Sequence, residues 1–196
     1  MRQLAVAIVL LSLLPACLGP RTESSRYYTL PEAAQAPTAT EPPPGAPSLG
    51  LGPITLPPYL ARPELATRLG PERIAYAADD RWAAPLEDLL VRALAEGLRT
   101  GLPAREIVRW PWALGSPPDV TVSVDLMRFE ADAAGGVTLE ARWTVTRRGG
   151  SALAGETRIR EGAAPRDVAG SVAALGRALG ALSRDIAAAG RGGAPR

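Results

Sequence analysis

Few residues in this sequence are of types that carry out chemistry, and the gaps in the set say as much as its members. There is no His and no Lys, so all 22 basic residues are Arg. A Ser-His-Asp triad, an imidazole metal ligand, a Schiff-base lysine and a P-loop lysine are thereby excluded. One Cys, Cys17, can form neither an internal disulfide nor a Cys-rich zinc site. Carboxylates are what remain for acid–base work, and Asp119, Asp125 and Glu130 are the candidates for an envelope hydrolase or a sugar-binding protein. Glycoside chemistry needs two carboxylates facing one cleft. Asp125, however, falls with Thr121 and Ser123 on the polar side of a strand pattern, where a solvated surface accounts for it. Asp79-Asp80 reads as a solvated turn lacking the oxygen shell of a calcium site. Glu87 and Asp88 fall in the first turn of a helix, where the macrodipole favours negative charge. The expectation is no enzyme, no metal and no cofactor.

Aromatic residues beside prolines offer binding rather than catalysis. Tyr59 and Leu60 lie in Leu56-Pro57-Pro58-Tyr59-Leu60-Ala61-Arg62-Pro63, where proline stiffens the backbone and lowers the entropy lost on docking. Trp110 and Trp112 flank Pro111 ahead of a Pro- and Gly-rich loop, and indole rings at loop ends are common interface anchors. These four residues are the candidate partner-binding set. Trp82, just before a helix, reads as packing. With 22 Arg against 20 Asp+Glu, interleaved to a formal +2, no nucleic-acid footprint is indicated.

The N-terminus carries the signal for location. Met1-Arg2 gives a positive start, and Leu4 to Leu14 is apolar apart from Ser12, too short a run to cross a bilayer as a mature helix. Residues 1–16 read as a signal peptide. Its end, Leu14-Pro15-Ala16-Cys17, resembles a bacterial lipobox, so Cys17 is the expected lipidated first residue, followed by a tether over 17–24. Pro15 departs from the small residues usual at that place. Diacylglycerol plus an amide-linked chain anchors stably where a single acyl chain would not, and Leu18, in place of an Asp, implies sorting to the outer membrane with the domain facing the periplasm.

The elements that must position these residues follow from periodicity. Pro31 to Pro47, with six prolines, reads as a mobile loop, and Gly190 to Arg196 as a frayed tail. Between them lies one domain over 25–189. Ser25 to Leu30, Leu51 to Leu56 and Arg105 to Trp110 read as strands. Val120, Val122, Val124 and Leu126 alternate with polar residues, as do Val137, Leu139, Ala141, Trp143 and Val145. Turns at Gly135-Gly136 and Gly149-Gly150 join these and Leu153 to Glu161 into a meander. Leu86, Leu89, Leu90, Ala93, Leu94 and Leu98 mark a helix over Pro85 to Gly101, and Val168, Val172, Leu175, Leu179, Leu182 and Ile186 a longer one from about Arg166 to Ala189. The fold class expected is α+β, a mainly antiparallel sheet with two amphipathic helices packed on one face. Small residues along the last helix permit close packing, on the sheet or on another copy of the chain as a homo-oligomer.

Four stretches in this order resemble the PqiC (YmbA) family of ABC-type transport auxiliary lipoproteins: Tyr27-Tyr28-Thr29-Leu30, Gly52 to Pro63, Arg81-Trp82-Ala83-Ala84-Pro85-Leu86, and Val122 to Phe129 followed by Ala141-Arg142-Trp143. The Pro-rich insertion and a short segment between Ile74 and Arg81 depart from that pattern, which leaves the first hairpin open. The resemblance implies a non-enzymatic envelope lipoprotein, an auxiliary subunit whose partner is the MCE-domain substrate-binding protein of an ABC lipid transporter.

Overall fold

The computed structural model describes residues 25–31, 42–113, 115–164 and 166–192. The expected signal peptide, the tether and Cys17 lie outside the described residues. Among the described residues every strand and helix falls between Arg26 and Gly192. The strands are β1 (Arg26–Tyr28), β2 (Ser48–Thr55), β3 (Glu64–Arg68), β4 (Ile74–Trp82), β5 (Glu106–Arg109), β6 (Val120–Asp132), β7 (Gly136–Arg147) and β8 (Ala152–Gly162). The helices are α1 (Leu86–Gly101) and α2 (Val168–Gly192).

Alternation makes β6 and β7 strands, and it also decides which side of them is covered. Val120, Val122, Val124 and Leu126 on β6, with Val137, Leu139, Ala141, Trp143 and Val145 on β7, are buried under the helices. Their partners in alternation, from Thr121 and Ser123 to Glu140 and Arg142, lie on the opposite face. β6, β7 and β8 form the antiparallel meander, with Val124 opposite Trp143 and Trp143 opposite Gly155. The other side of β6 is shared: its first half pairs in parallel with β2, which carries β5, and its last two residues pair in parallel with β3. β3 and β4 form an antiparallel hairpin, and β1 adds to β4 in parallel. The sheet is mixed, with its long central ladders antiparallel, and the fold is α+β as expected.

Both helices lie where their apolar stripes predict. Leu90, Leu94 and Leu98 of α1 and Leu179, Leu182 and Ile186 of α2 are almost fully excluded from solvent. They cross closely because Gly97 and Gly101 of α1 face Ser183 and Ala187 of α2, with no room for a Cβ at either glycine. Three small residues of α2 pack within the chain: Ala174 and Ala178 are buried, and Gly176 lies against Pro31.

Four expectations are corrected. Asp79 and Asp80 are not a turn but part of β4, and Asp80 is buried because β1 brings Arg26 alongside with two guanidinium bonds of 2.6 and 2.8 Å. Gly190 to Gly192 do not fray but continue α2: Gly190 packs on Leu102, and the guanidiniums of Arg147 and Arg191 donate to Gly190 O and Gly101 O. The Pro-rich segment is fixed at its end, since Ala46 is buried and its amide donates to Pro43 O at 3.0 Å. β2 begins at Ser48, three residues before Leu51, where β5 and β6 supply partners on both sides.

Trp143 ties the layers together. Its ring covers Gly155, its indole N–H donates to Thr157 Oγ1 at 3.0 Å, and Thr157 donates in turn to Asp185 of α2 at 3.0 Å. Trp143→Ala removes a large buried ring and should lower the unfolding free energy by ~3–5 kcal/mol in urea denaturation. A loss below ~1 kcal/mol would contradict this packing.

Candidate functional site

The chain leaves β5 at Arg109 and turns through Trp110-Pro111-Trp112 at the outer edge of the sheet, since β5 has β2 as its neighbour on the inner side. The Trp110 amide donates to Leu51 O at 2.9 Å, so this turn is an extension of the ladder. The two indoles meet edge to face with centroids 4.8 Å apart and planes at 87°. Trp110 is 52% exposed, whereas Trp112 is half-buried. Such an arrangement satisfies the ring quadrupoles and holds the outer ring in place.

Two glycines make the seat. A Cβ on Gly50 would stand 2.6 Å from Pro118 Cγ and 3.0 Å from the Trp112 ring, and one on Gly52 would stand 2.6 Å from Trp110 Cβ. Gly52 also has φ +119, a conformation that side-chain-bearing residues rarely adopt. Gly-x-Gly within a strand is the signal that could have located this seat, because glycine inside a strand often marks the close approach of another group. The result is an exposed aromatic plate on a rigid base.

Tyr59 and Leu60 are placed otherwise. They form a single turn of 3-10 helix, Pro58–Leu60, and Leu60 is buried at 4% exposure. As a docking residue Leu60 is corrected: its side chain belongs to the core. Tyr59 is half-buried and points inward, its hydroxyl donating to Glu130 Oε2 at 2.9 Å, while its carbonyl accepts from Tyr76 at 3.2 Å. Tyr59 and Leu60 therefore do not join the tryptophans in one surface.

Glu130, a candidate for acid–base work in the sequence, is instead the centre of a structural cluster whose partners the sequence did not reveal. Its carboxylate is wholly buried and accepts from Arg68 Nε at 2.6 Å, Arg128 Nε at 3.0 Å, the Phe129 amide at 3.0 Å and the Tyr59 hydroxyl. Burial alone would raise its pKa, but the bonds from Arg68, Arg128, Tyr59 and the Phe129 amide together hold it below the ordinary carboxylate value. Burial, reinforced by the neighbouring Glu130 charge, pushes the Tyr59 hydroxyl up to about 12.

The remaining carboxylates are equally committed. Asp119 accepts from the Ser48 amide and hydroxyl at 2.8 and 2.9 Å, and these bonds first, then Arg105 and Arg148, hold its pKa down. Asp125 accepts from Thr55 at 2.6 Å. Five strand residues at ~3.3 Å each put Asp125 and Glu130 about 16 Å apart, beyond the spacing of a glycosidase pair. Among the described residues no group of three or more Cys, Asp or Glu could hold a metal ion.

These features define the class: an α+β domain whose candidate carboxylates, Asp119, Asp125 and Glu130, are committed to structure. A family described as the ABC-type transport auxiliary lipoprotein component matches residues 28–187, and the chain belongs to it. Its curated relatives include the intermembrane transport lipoprotein PqiC of Escherichia coli and of Shigella flexneri, each 29% identical over 126 residues. That match takes in 64% of this chain and 65% of the relative, a little under two thirds of the relative's length. The fold recurs in the crystal structure of an uncharacterized protein, with TM-score 0.67 and 22% identity over 84% of this chain and 97% of the other. It recurs also in a Xanthomonas campestris protein, with TM-score 0.62 and 20% identity over 83% and 92%. Among the described residues no helix is long and apolar enough to cross a membrane.

The Glu130 cluster sets an acid limit on stability. A carboxylate whose folded pKa lies below its unfolded value of 4.5 contributes stability at higher pH and loses it as pH falls through the folded pKa. Glu130→Gln should cost ~3 kcal/mol at neutral pH, because two guanidiniums lose their counter-charge. It should also flatten the fall in stability below the unfolded value. Equal acid dependence in the two proteins would contradict the assignment.

Proposed function

We propose that this lipoprotein is anchored through lipidated Cys17 in the outer membrane, faces the periplasm, and docks the MCE-domain substrate-binding protein of an ABC lipid transporter through Trp110 and Trp112. The observation that carries this reading is the exposed Trp110 ring, braced by Trp112 over Gly50 and Gly52. An exposed rigid indole loses little entropy on binding and offers a large contact area. Membership of the transport auxiliary family supplies the context.

The tether is compatible with that geometry. Nine peptide units separate Cys17 from Arg26, so a lipid on Cys17 keeps β1 within about 30 Å of the bilayer. β1 closes the β3–β4 part of the sheet and β5 closes the β2 part, both on the side of β6 away from β7. Strand β1, where the tether would arrive, and the aromatic plate therefore belong to different sheet edges.

Two experiments test this. Cys17→Ser should move the protein from the membrane to the soluble periplasmic fraction, with mass spectrometry of the wild type showing acylated Cys17; an unmodified Cys17 would end that part. For docking, the chain without residues 1–17 should bind the MCE-domain partner in a biosensor assay. Trp110→Ala or Trp112→Ala should weaken binding by ~1–2 kcal/mol at nearly unchanged melting temperature. A sharp fall in melting temperature with intact affinity would return both rings to the core.

A further inference from the structure

A cavity of about 370 Å³ lies between the β3–β4 hairpin and the first turns of α2, on the helix side of the sheet and away from the tryptophan edge. That volume is at the lower end of the range for ligand sites, ~300–1,000 Å³. Its inner wall is built by Leu60, Leu65, Trp82, Phe129 and Leu175, all buried and each from a different element. Protein interiors are otherwise close-packed, and an unfilled apolar space costs stability. Here the space persists because Ala66, Ala77 and Ala131 line it where larger side chains would close it. Among the described residues the one buried side-chain polar atom without a partner is Arg81 Nε, which is not in this wall. A ligand bearing polar groups along its buried length would leave them unpaired, whereas an alkyl chain leaves none.

The rim is charged. Glu64 is paired with Arg62 at 3.2 Å, and the other charged residues of the lining are Asp132, Arg166 and Asp167. Both aspartates also order their turns, Asp132 accepting from the Ala134 and Gly136 amides and Asp167 from the Gly170 amide. Arg166 has φ 61, the left-handed region that a non-glycine residue rarely takes. Strain of this kind persists where the surroundings hold it and clusters at ligand sites. A cation beside two carboxylates complements a phosphate joined to an ammonium and repels a bare anion.

We propose that this cavity binds the single acyl chain of a zwitterionic lysophospholipid, with the chain against the apolar wall, the phosphate at Arg166 and the ammonium at Asp132 and Asp167. The site is separate from the tryptophan edge and does not depend on that edge docking a protein.

The test uses the chain without residues 1–17, which keeps every described strand and helix, and lysophosphatidylethanolamine brominated on its acyl chain, below its micellar concentration. Bromine in the cavity should quench Trp82 saturably at one ligand per chain. Quenching should vanish in Trp82→Phe and survive in the Trp110→Ala, Trp112→Ala double variant. Ala131→Leu, which fills the space, should abolish binding at an equal or higher melting temperature, with Ala77→Leu as a second filling variant. A brominated fatty acid should bind roughly tenfold more weakly, and glycerophosphoethanolamine, without a chain, should not compete. Quenching that persists in both filling variants, or that is lost with the edge tryptophans, overturns the site. A fatty acid binding as tightly overturns the headgroup assignment.

Discussion

The structure depends on one strand having two different neighbours on the same side. β6 is 13 residues long, and β7 follows it along nearly its whole length. On the other side β2 pairs as far as Asp125 and β3 begins at Ala131. Between those points no strand accompanies β6, its ladder with β7 is irregular between Leu126 and Arg128, and the Pro58–Leu60 turn runs past instead. Glu130 stands at the end of that gap and draws Tyr59, Arg68 and Arg128 onto one carboxylate. The two parts of the sheet, β2–β5 and β3–β4–β1, do not pair with each other; each pairs with β6, and the cluster ties β3 to β6. An ion cluster of this kind is a poor source of net stability compared with apolar packing, but removing one member strands the others. Its role is to fix where β3 enters the sheet.

Fixing that entry arranges the rest of the molecule around three sheet edges. β1 closes one, β5 another and β8 the third. At β1 the Arg26–Asp80 bonds hold a strand of three residues in place. The aromatic plate sits beyond β5. Helices cover one face, while the open face carries a lattice of Arg and Glu in which Glu140 meets Arg158 at 3.1 Å and Arg128 at 3.6 Å. Interleaved charges on an exposed sheet discourage edge-to-edge association.

What the sequence made legible was whatever repeats locally. The leucine stripes of both helices and the alternation of β6 and β7 identify the elements and their buried faces residue by residue, because period and burial are one fact. β3 and β4 escaped: their residues are mixed in polarity and β4 is half-exposed over most of its length, so no alternation advertised them. Asp80 read as a solvated turn because its partner, Arg26, is 54 residues away. Glu130 read as a candidate for acid–base chemistry because its partners are just as remote, with Arg68 at a separation of 62 and Tyr59 at 71. The tryptophans were found by type and by the proline between them, but their seat depends on Gly50 and Gly52, which a strand reading treats as weak positions. Leu60 was placed with Tyr59 on a loop surface because prolines mark turns well and say little about which way a side chain faces.

The central claim is that the aromatic edge beyond β5 is the face read by a protein partner. Amide hydrogen exchange of the chain with and without the MCE-domain protein tests it directly. Binding at this edge predicts new protection confined to residues 106–113 and to 50–53 beneath them, with β8 and α2 unchanged. Protection centred on β8 or along α2, with 106–113 exchanging as in the free chain, would contradict it.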